Sequence, residues 1–253
     1  MAHVDLNCDL GEGAGHDAEL MPLITSANIA CGAHAGDTAT MRATIALAKQ
    51  HGVAIGTHPG FPDRANFGRV EIAMSPGEVH GLVHEQVLQL HLMTRGAGTR
   101  LAHVKLHGAL YNMAARDADL ARAVVDAVYE VDPRLVLFGL AGSQMIAVAE
   151  ACGLPVASEV FADRTYQADG SLTPRSRPDA LITDEAVAVA QGLRMVREGR
   201  VRATDGSEVL IRADTICVHG DGAHPVEFAR RLRHEFLAAG IEVEPFEPGH
   251  HDH

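Results

Sequence analysis

The chain has 253 residues, 47% of them apolar, and a formal net charge of −12. That composition belongs to a globular chain long enough for a large core, and a negative field of this size opposes contact with nucleic-acid phosphates. Its four cysteines, at 8, 31, 152 and 217, form no C-x-x-C pair, no apolar leader follows the start, and no run reaches membrane length. Free thiols in a reducing cytoplasm are therefore expected, with no membrane span.

Strands are predicted at 3–8, 27–31, 53–57, 101–106, 135–140, 155–160 and 214–219, from short Val-, Ile- and Leu-rich runs bounded by turn residues. Helical stripes lie between them. Met41, Ile45 and Ala48 follow the second strand, and Val79, Val83, Val87 and Leu90 the third. Leu120, Val124, Val128 and Val131 follow the fourth; Val189, Leu193 and Val196 follow the sixth; Ala229, Leu232 and Phe236 follow the last. Ser75-Pro76-Gly77-Glu78 reads as a capping box, and Gly52, Gly153 and Gly240 each stand where a helix gives way to an apolar run.

Strand, helix and strand in repetition mean parallel strands with right-handed crossovers, and about seven strands suit a barrel or a doubly wound sheet. One domain over 1–247 is expected, with a disordered tail over 248–253. Two excursions break the rhythm: an Arg-rich polar stretch over 161–178 turning at Asp169-Gly170, and a hairpin over 200–212 around Asp205-Gly206.

Position is the strongest functional signal. Asp5, Asn7 and Asp9 alternate with apolar residues, so period two sets all three on one face of the first strand. Asn28 and His34 end the second strand, His58 the third, and His103, Lys105 and His107 the fourth. Glu159, Asp163 and Arg164 end the sixth, and His219 and Asp221 the last. Ligands of parallel α/β folds bind at these carboxyl ends, so the set predicts one active-site mouth. Structural duties compete for some members. Asp37 reads as a helix N-cap, Asp5 as a barrel-floor group paired to an arginine, and Asn28 as a turn cap. Lys105 stands out because Lys49 is the only other lysine.

Other motifs are weak. Gly11-Glu12-Gly13-Ala14-Gly15 does not fit a dinucleotide turn, and neither a P-loop nor G-x-S-x-G occurs. His80 and His84 are four apart but have no H-E-x-x-H frame, so they read as an exposed face.

The strand-end phrases resemble the LamB/YcsF family. They are Asp5-Leu6-Asn7-Cys8-Asp9-Leu10-Gly11-Glu12, Asn28 to Asp37, His58-Pro59-Gly60, Lys105 to Tyr111, Glu159 to Arg164 and His219-Gly220-Asp221. Position 33, usually aromatic there, is Ala, and position 106, usually Pro, is Leu. The resemblance implies a TIM-like, irregular parallel β/α barrel of the glycoside hydrolase and deacetylase type. It implies the A subunit of an ATP-dependent 5-oxoprolinase working with B and C subunits on 5-oxoproline. ATP is then bound by the complex rather than by this chain alone, with room left for a divalent metal and a homo-oligomer. In that reading Asp9 or Glu159 is the base, Lys105 meets the carbonyl oxygen or phosphate, and His58, His107 and His219 move protons. Asn7, Asn28, His34, Asp163, Arg164 and Asp221 contact substrate, and Arg64 or Arg69 shares the carboxylate clamp. Two alternatives stand beside it. One is a metal-dependent deacetylase or amidohydrolase holding its ion on Asp9, His34 and His58. The other is a subunit that only binds the lactam.

Overall fold

The structure is a computed structural model and describes residues 2–218 and 224–249. The strands are β1 (His3–Leu10), β2 (Ser26–Ala30), β3 (Ala54–His58), β4 (His103–Lys105), β5 (Val136–Leu140), β6 (Val156–Phe161), β7 (Arg200–Arg202), β8 (Glu208–Leu210), β9 (Thr215–Val218) and β10 (Glu242–Val243). The helices are α1 (Asp17–Leu20), α2 (Thr38–His51), α3 (Pro76–Gly96), α4 (Gly108–Arg116), α5 (Ala118–Val131), α6 (Gln144–Ala151), α7 (Glu185–Glu198) and α8 (Pro225–Ala238).

Strands β1 to β6 pair in sequence order, β6 pairs with β9, and β9 returns to β1, all in parallel. This closes a seven-stranded barrel, which settles the choice between barrel and doubly wound sheet. β10 adds a short parallel pairing at the start of β1. Behind it Phe246 packs against Val136, Phe138 and Ala157, an apolar cluster separate from the main core.

Period two on β1 explains the layering. Val4, Leu6, Cys8 and Leu10 are buried in the apolar shell between barrel and helices. Asp5, Asn7 and Asp9 take the other face, which is the interior. The Ser75–Glu78 capping box forms as predicted and starts α3. Gly52, Gly153 and Gly240 all take positive φ at helix ends, at 68, 73 and 74°. Lys49, exposed near the end of α2, donates to the Ala97 carbonyl at 2.7 Å.

The hairpin around Asp205-Gly206 is β7–β8. The stretch after β6 is an ordered strap rather than a loose loop. The Tyr166 hydroxyl, fully buried, accepts the Phe161 N–H at 2.8 Å, and Tyr166 bridges to Leu172 and Ala203. No helix among the described residues is long and apolar enough to cross a membrane.

Candidate active site

The carboxyl ends of the barrel strands open into a cleft of about 860 Å³. Its floor carries Asp9, Glu12, His58, Lys105 and His107, and the strap from Arg164 to Ser176 forms one wall. Polar side chains pack down the barrel beneath it in three tiers.

The lowest tier is Asp5. Its Oδ1 accepts from Thr25 Oγ1 at 2.7 Å and Ser26 Oγ at 2.6 Å, and its Oδ2 accepts from Thr215 Oγ1. Burial pushes its carboxyl up to about 6 against the pull of these hydroxyls. Asp5 is therefore a floor group as expected, but hydroxyls hold it in place of the arginine the sequence suggested.

The middle tier is a relay of amides. Asn7 Nδ2 donates to Glu159 Oε1 at 2.9 Å and Thr215 Oγ1 at 2.7 Å. Asn28 Nδ2 donates to Asn7 Oδ1 at 2.8 Å and Asp9 Oδ1 at 2.9 Å. A carboxylate only accepts, so both amide orientations are fixed, and Asn28 Oδ1 must accept from His103 Nε2, 2.8 Å away. Asn28 is thus part of the interior network and not a turn cap. Burial, then Lys105, hold the His103 imidazole down at about 3, so it is neutral.

The upper tier centres on Lys105, whose side chain is 4% exposed. Its Nζ lies 2.9 Å from Asp9 Oδ1, 3.0 Å from Glu159 Oε1, 3.2 Å from Asn7 Oδ1 and 2.9 Å from Cys217 Sγ. Burial pulls the ammonium down, yet its close neighbours, Asp9 first, then Cys217 and Glu159, together hold Lys105 well above the ordinary lysine range. Burial also pushes the Cys217 thiol well up, so it stays protonated. Glu159 is fully buried behind Lys105, and its second oxygen accepts from Tyr111 Oη at 2.7 Å.

Beside this trio stands a cluster of three histidines and Glu12. Glu12 Oε1 lies 3.1 Å from His34 Nε2, 3.2 Å from His107 Nδ1 and 3.6 Å from His58 Nε2. His58 Nε2 and His107 Nδ1 are 2.9 Å apart, and His34 stacks on His107 at 3.7 Å. Burial acts upward on Glu12, but His107 and His34 act downward more strongly, leaving its carboxyl at about 2. Burial holds His34 down at about 4. For His58 burial also acts downward, but Asp9 and Glu12 outweigh it and raise the imidazole above its ordinary value. These four residues put one donor atom each within 4.8 Å of one another.

The strand-end signal thus gathers Asn7, Asp9, Asn28, His34, His58, Lys105, His107 and Glu159 in one place. His219 and Asp221 lie outside the described residues. Asn7, Asn28, His34 and Glu159 sit below or behind the cleft lining instead of on it, and Asp163 is not on the lining. Arg164 does line the cleft, buried, with Nε and Nη2 bound to the Ala180 and Thr173 carbonyls. Arg64 is turned to the Gly32 and Gly36 carbonyls; the exposed arginines of the lining are Arg69, Arg116 and Arg175, of which Arg116 pairs with Glu71 at 2.7 Å. Of the set Asp9, His34 and His58, the two histidines cluster with Glu12 and His107, while Asp9 meets Lys105 and Asn28 through Oδ1 and lies 3.4 Å from His58 Nε2 through Oδ2. Glu12 escapes a reading of the sequence because it stands in a glycine-rich turn past the strand, where period two no longer applies. Asp37 is the N-cap of α2, accepting from the Thr40 N–H at 2.8 Å. His80 and His84 are stacked and half-buried, with His80 3.3 Å from Glu130.

The chain has clear relatives. A sequence profile of the LamB/YcsF family matches residues 4–251. A Bacillus subtilis protein, named as the A subunit of 5-oxoprolinase, is 53% identical over 248 residues, covering 96% of each chain. The crystal structure of a lactam utilization protein from Thermus thermophilus superposes with a TM-score of 0.91 at 47% identity, over 96% of this chain and 100% of that one. A family 4 carbohydrate esterase from Streptomyces lividans shares the fold alone, with a TM-score of 0.52 at 10% identity over 98% and 95% of the two chains.

Proposed function

Since the chain belongs to the LamB/YcsF family, we propose that it is the A subunit of an ATP-dependent 5-oxoprolinase, opening 5-oxo-L-proline to L-glutamate with B and C subunits. Relatives named as A subunits of 5-oxoprolinase and the lactam utilization protein support the substrate class. The nucleotide is assigned to the assembled complex.

A lactam carbonyl is a poor electrophile. Transfer of the γ-phosphoryl group of ATP to its oxygen releases ADP and activates the carbon. One water then adds to that carbon and loses a proton, and the C–N bond breaks with the ring nitrogen leaving as the amine. The resulting γ-glutamyl phosphate takes a second water and releases inorganic phosphate. Such a path needs a cation against the phosphorylated oxygen and a base for the water.

The observation that carries the reading is Lys105, an ammonium fixed on the cleft floor by Asp9 and Glu159. It is the cation of the proposal. Asp9, which lines the cleft beside it, is the base. Glu159, Asn7 and Asn28 are positioning residues, since each is bound to Lys105, Asp9 or another of the three and none lines the cleft. Arg69, Arg164 and Arg175 face the cleft from its rim and strap and clamp the substrate carboxylate.

The test combines this chain with B and C subunits and follows glutamate release with and without ATP. Release that needs ATP and all three chains, and that Lys105→Ala abolishes, is expected. Metal-dependent amide hydrolysis by this chain alone would overturn the reading. Normal turnover by Asp9→Asn and Lys105→Ala would reduce the chain to a lactam-binding role.

A further inference from the structure

The geometry points to a binding site for one divalent transition-metal ion, held by Glu12, His34, His58 and His107. The inference rests on the donor arrangement and is independent of the lactam reading.

Backbone carbonyls fix the ring protons. His58 Nδ1 lies 2.9 Å from the Lys105 carbonyl, and His107 Nε2 lies 2.8 Å from the Phe67 carbonyl. A carbonyl only accepts, so each of these nitrogens carries the ring proton. In the neutral rings the other two, His58 Nε2 and His107 Nδ1, present lone pairs to each other across 2.9 Å, and Asp9 Oδ2 lies 3.4 Å from His58 Nε2. Two lone pairs at that separation repel unless a positive centre is shared between them. Glu12 Oε1, a third electron-rich atom, faces the same point from 3.2 and 3.6 Å. His34 Nε2 adds a fourth at 3.1 Å from that oxygen. A single shared proton relieves one pair of atoms. A cation at the common centre serves all four.

Spacing and donor type agree. Four ligands on bonds of about 2.0–2.2 Å stand roughly 3.4 Å apart in a tetrahedron; four of the six separations here run from 2.9 to 3.6 Å, and all lie within 4.8 Å. Three imidazoles and one carboxylate favour zinc or another first-row transition metal over magnesium or calcium. Binding tilts His34 and His107 out of their co-facial stack, because both lone pairs must aim at one ion.

The surroundings are built for the ligands. Metal-binding histidines commonly donate their outer N–H to a backbone carbonyl, which fixes tautomer and ring angle. Lys105 and Phe67 supply those carbonyls. Phe67 is the one described non-glycine residue with positive φ, at 55°, a conformation that costs about 1–3 kcal/mol for a bulky side chain. Its strained backbone turns the carbonyl that His107 uses. Gly60 and Gly68 leave room for the rings: a Cβ on Gly60 would stand 2.8 Å from His34 Nδ1, and one on Gly68 3.1 Å from His107 Cδ2. Glu12, His58 and His107 line the cleft, so the ion faces it while His34 closes the back.

The test uses the full chain with His250, His251 and His253 replaced by Ala, so that tail histidines contribute nothing. After chelation and dialysis the protein is titrated with Co²⁺, then Zn²⁺, alone. One equivalent of Co²⁺, visible ligand-field absorption of a four-coordinate N/O site, displacement by Zn²⁺ and a rise in melting temperature are expected. Glu12→Gln and His107→Asn, each checked for folding by circular dichroism, should weaken Co²⁺ binding by about 100-fold. If one variant does not fold, the other decides. Less than a tenth of an equivalent bound by the folded parent chain, or equal binding by the folded variants, would overturn the site and leave a shared proton between His58 and His107.

Discussion

A Cβ on Gly56 would stand 2.1 Å from Nε2 of His103. The imidazole occupies the space a side chain at 56 would need, with Phe138 stacked on it at 4.2 Å and Asn28 at its Nε2. Because Asn28 also donates to Asp9, the bare backbone of β3 supports the amide relay under the cleft. Gly56→Ala should cost about 1–3 kcal/mol by overpacking. In Gly56→Ala/His103→Ala the penalty should be smaller than the two single losses added together. Urea denaturation of the four proteins measures the coupling, and strict additivity would show that the ring moves aside freely.

Lys105 neutralises carboxylates that have left water. Lys105→Met should destabilise the fold by about 3–5 kcal/mol, because it strands the Glu159 charge in the interior. Adding Glu159→Gln should recover part of that loss while turnover of the complex stays down by on the order of 10²–10³. Equal stability of the single and double variants would mean that the two groups do not share a charge in the folded state.

Asp5 gives a pH signature. Its carboxyl is raised from 3.8 to about 6 in the fold, so between those values the folded state holds a proton that the unfolded state has lost. Its contribution therefore falls as pH rises from about 4 to 6 and is flat above. The span is about 3 kcal/mol at 1.36 kcal/mol per pKa unit. Asp5→Asn should remove this falling component, so the stability difference between parent and variant should change over that window. A difference independent of pH from 4 to 7 would show that Asp5 titrates normally.

The arginine rim tests the clamp. Arg69→Gln and Arg175→Gln should each raise KM for 5-oxoproline in the complex about 10–100-fold, as expected for loss of a charge-assisted hydrogen bond, with kcat largely kept. A fall in kcat at unchanged KM would move these residues from substrate binding to chemistry.

The barrel was legible wherever a local signal had a period. The strands of β1, β2, β3, β5 and β6 fall within two residues of their predicted ends, and the alternation on β1 named its interior face. Helices α4 and α6 escaped for physical reasons. α6 is apolar around most of its surface and only 8 residues long, so no 3.6 period stands out. α4 starts directly at Gly108 within a phrase read as a strand end. The candidate site was legible as a set but not in depth. The sequence cannot say that Glu159 and Asn7 lie behind Lys105, because tier is fixed by barrel closure between β1 and β9. Glu12 reaches the histidines only through the turn after β1, and no spacing rule connects it to His107.

The chain has two lysine side chains, and their settings are opposite: Lys49 is exposed on α2, whereas Lys105 is enclosed by acids and a thiol. Amine-directed acylation of the native protein should therefore label Lys49 and spare Lys105. The protein thus carries an internal reference for chemical footprinting. Labelling of Lys105 relative to Lys49 reads how far the cleft floor opens, and a partner that covers the cleft would leave the reference untouched.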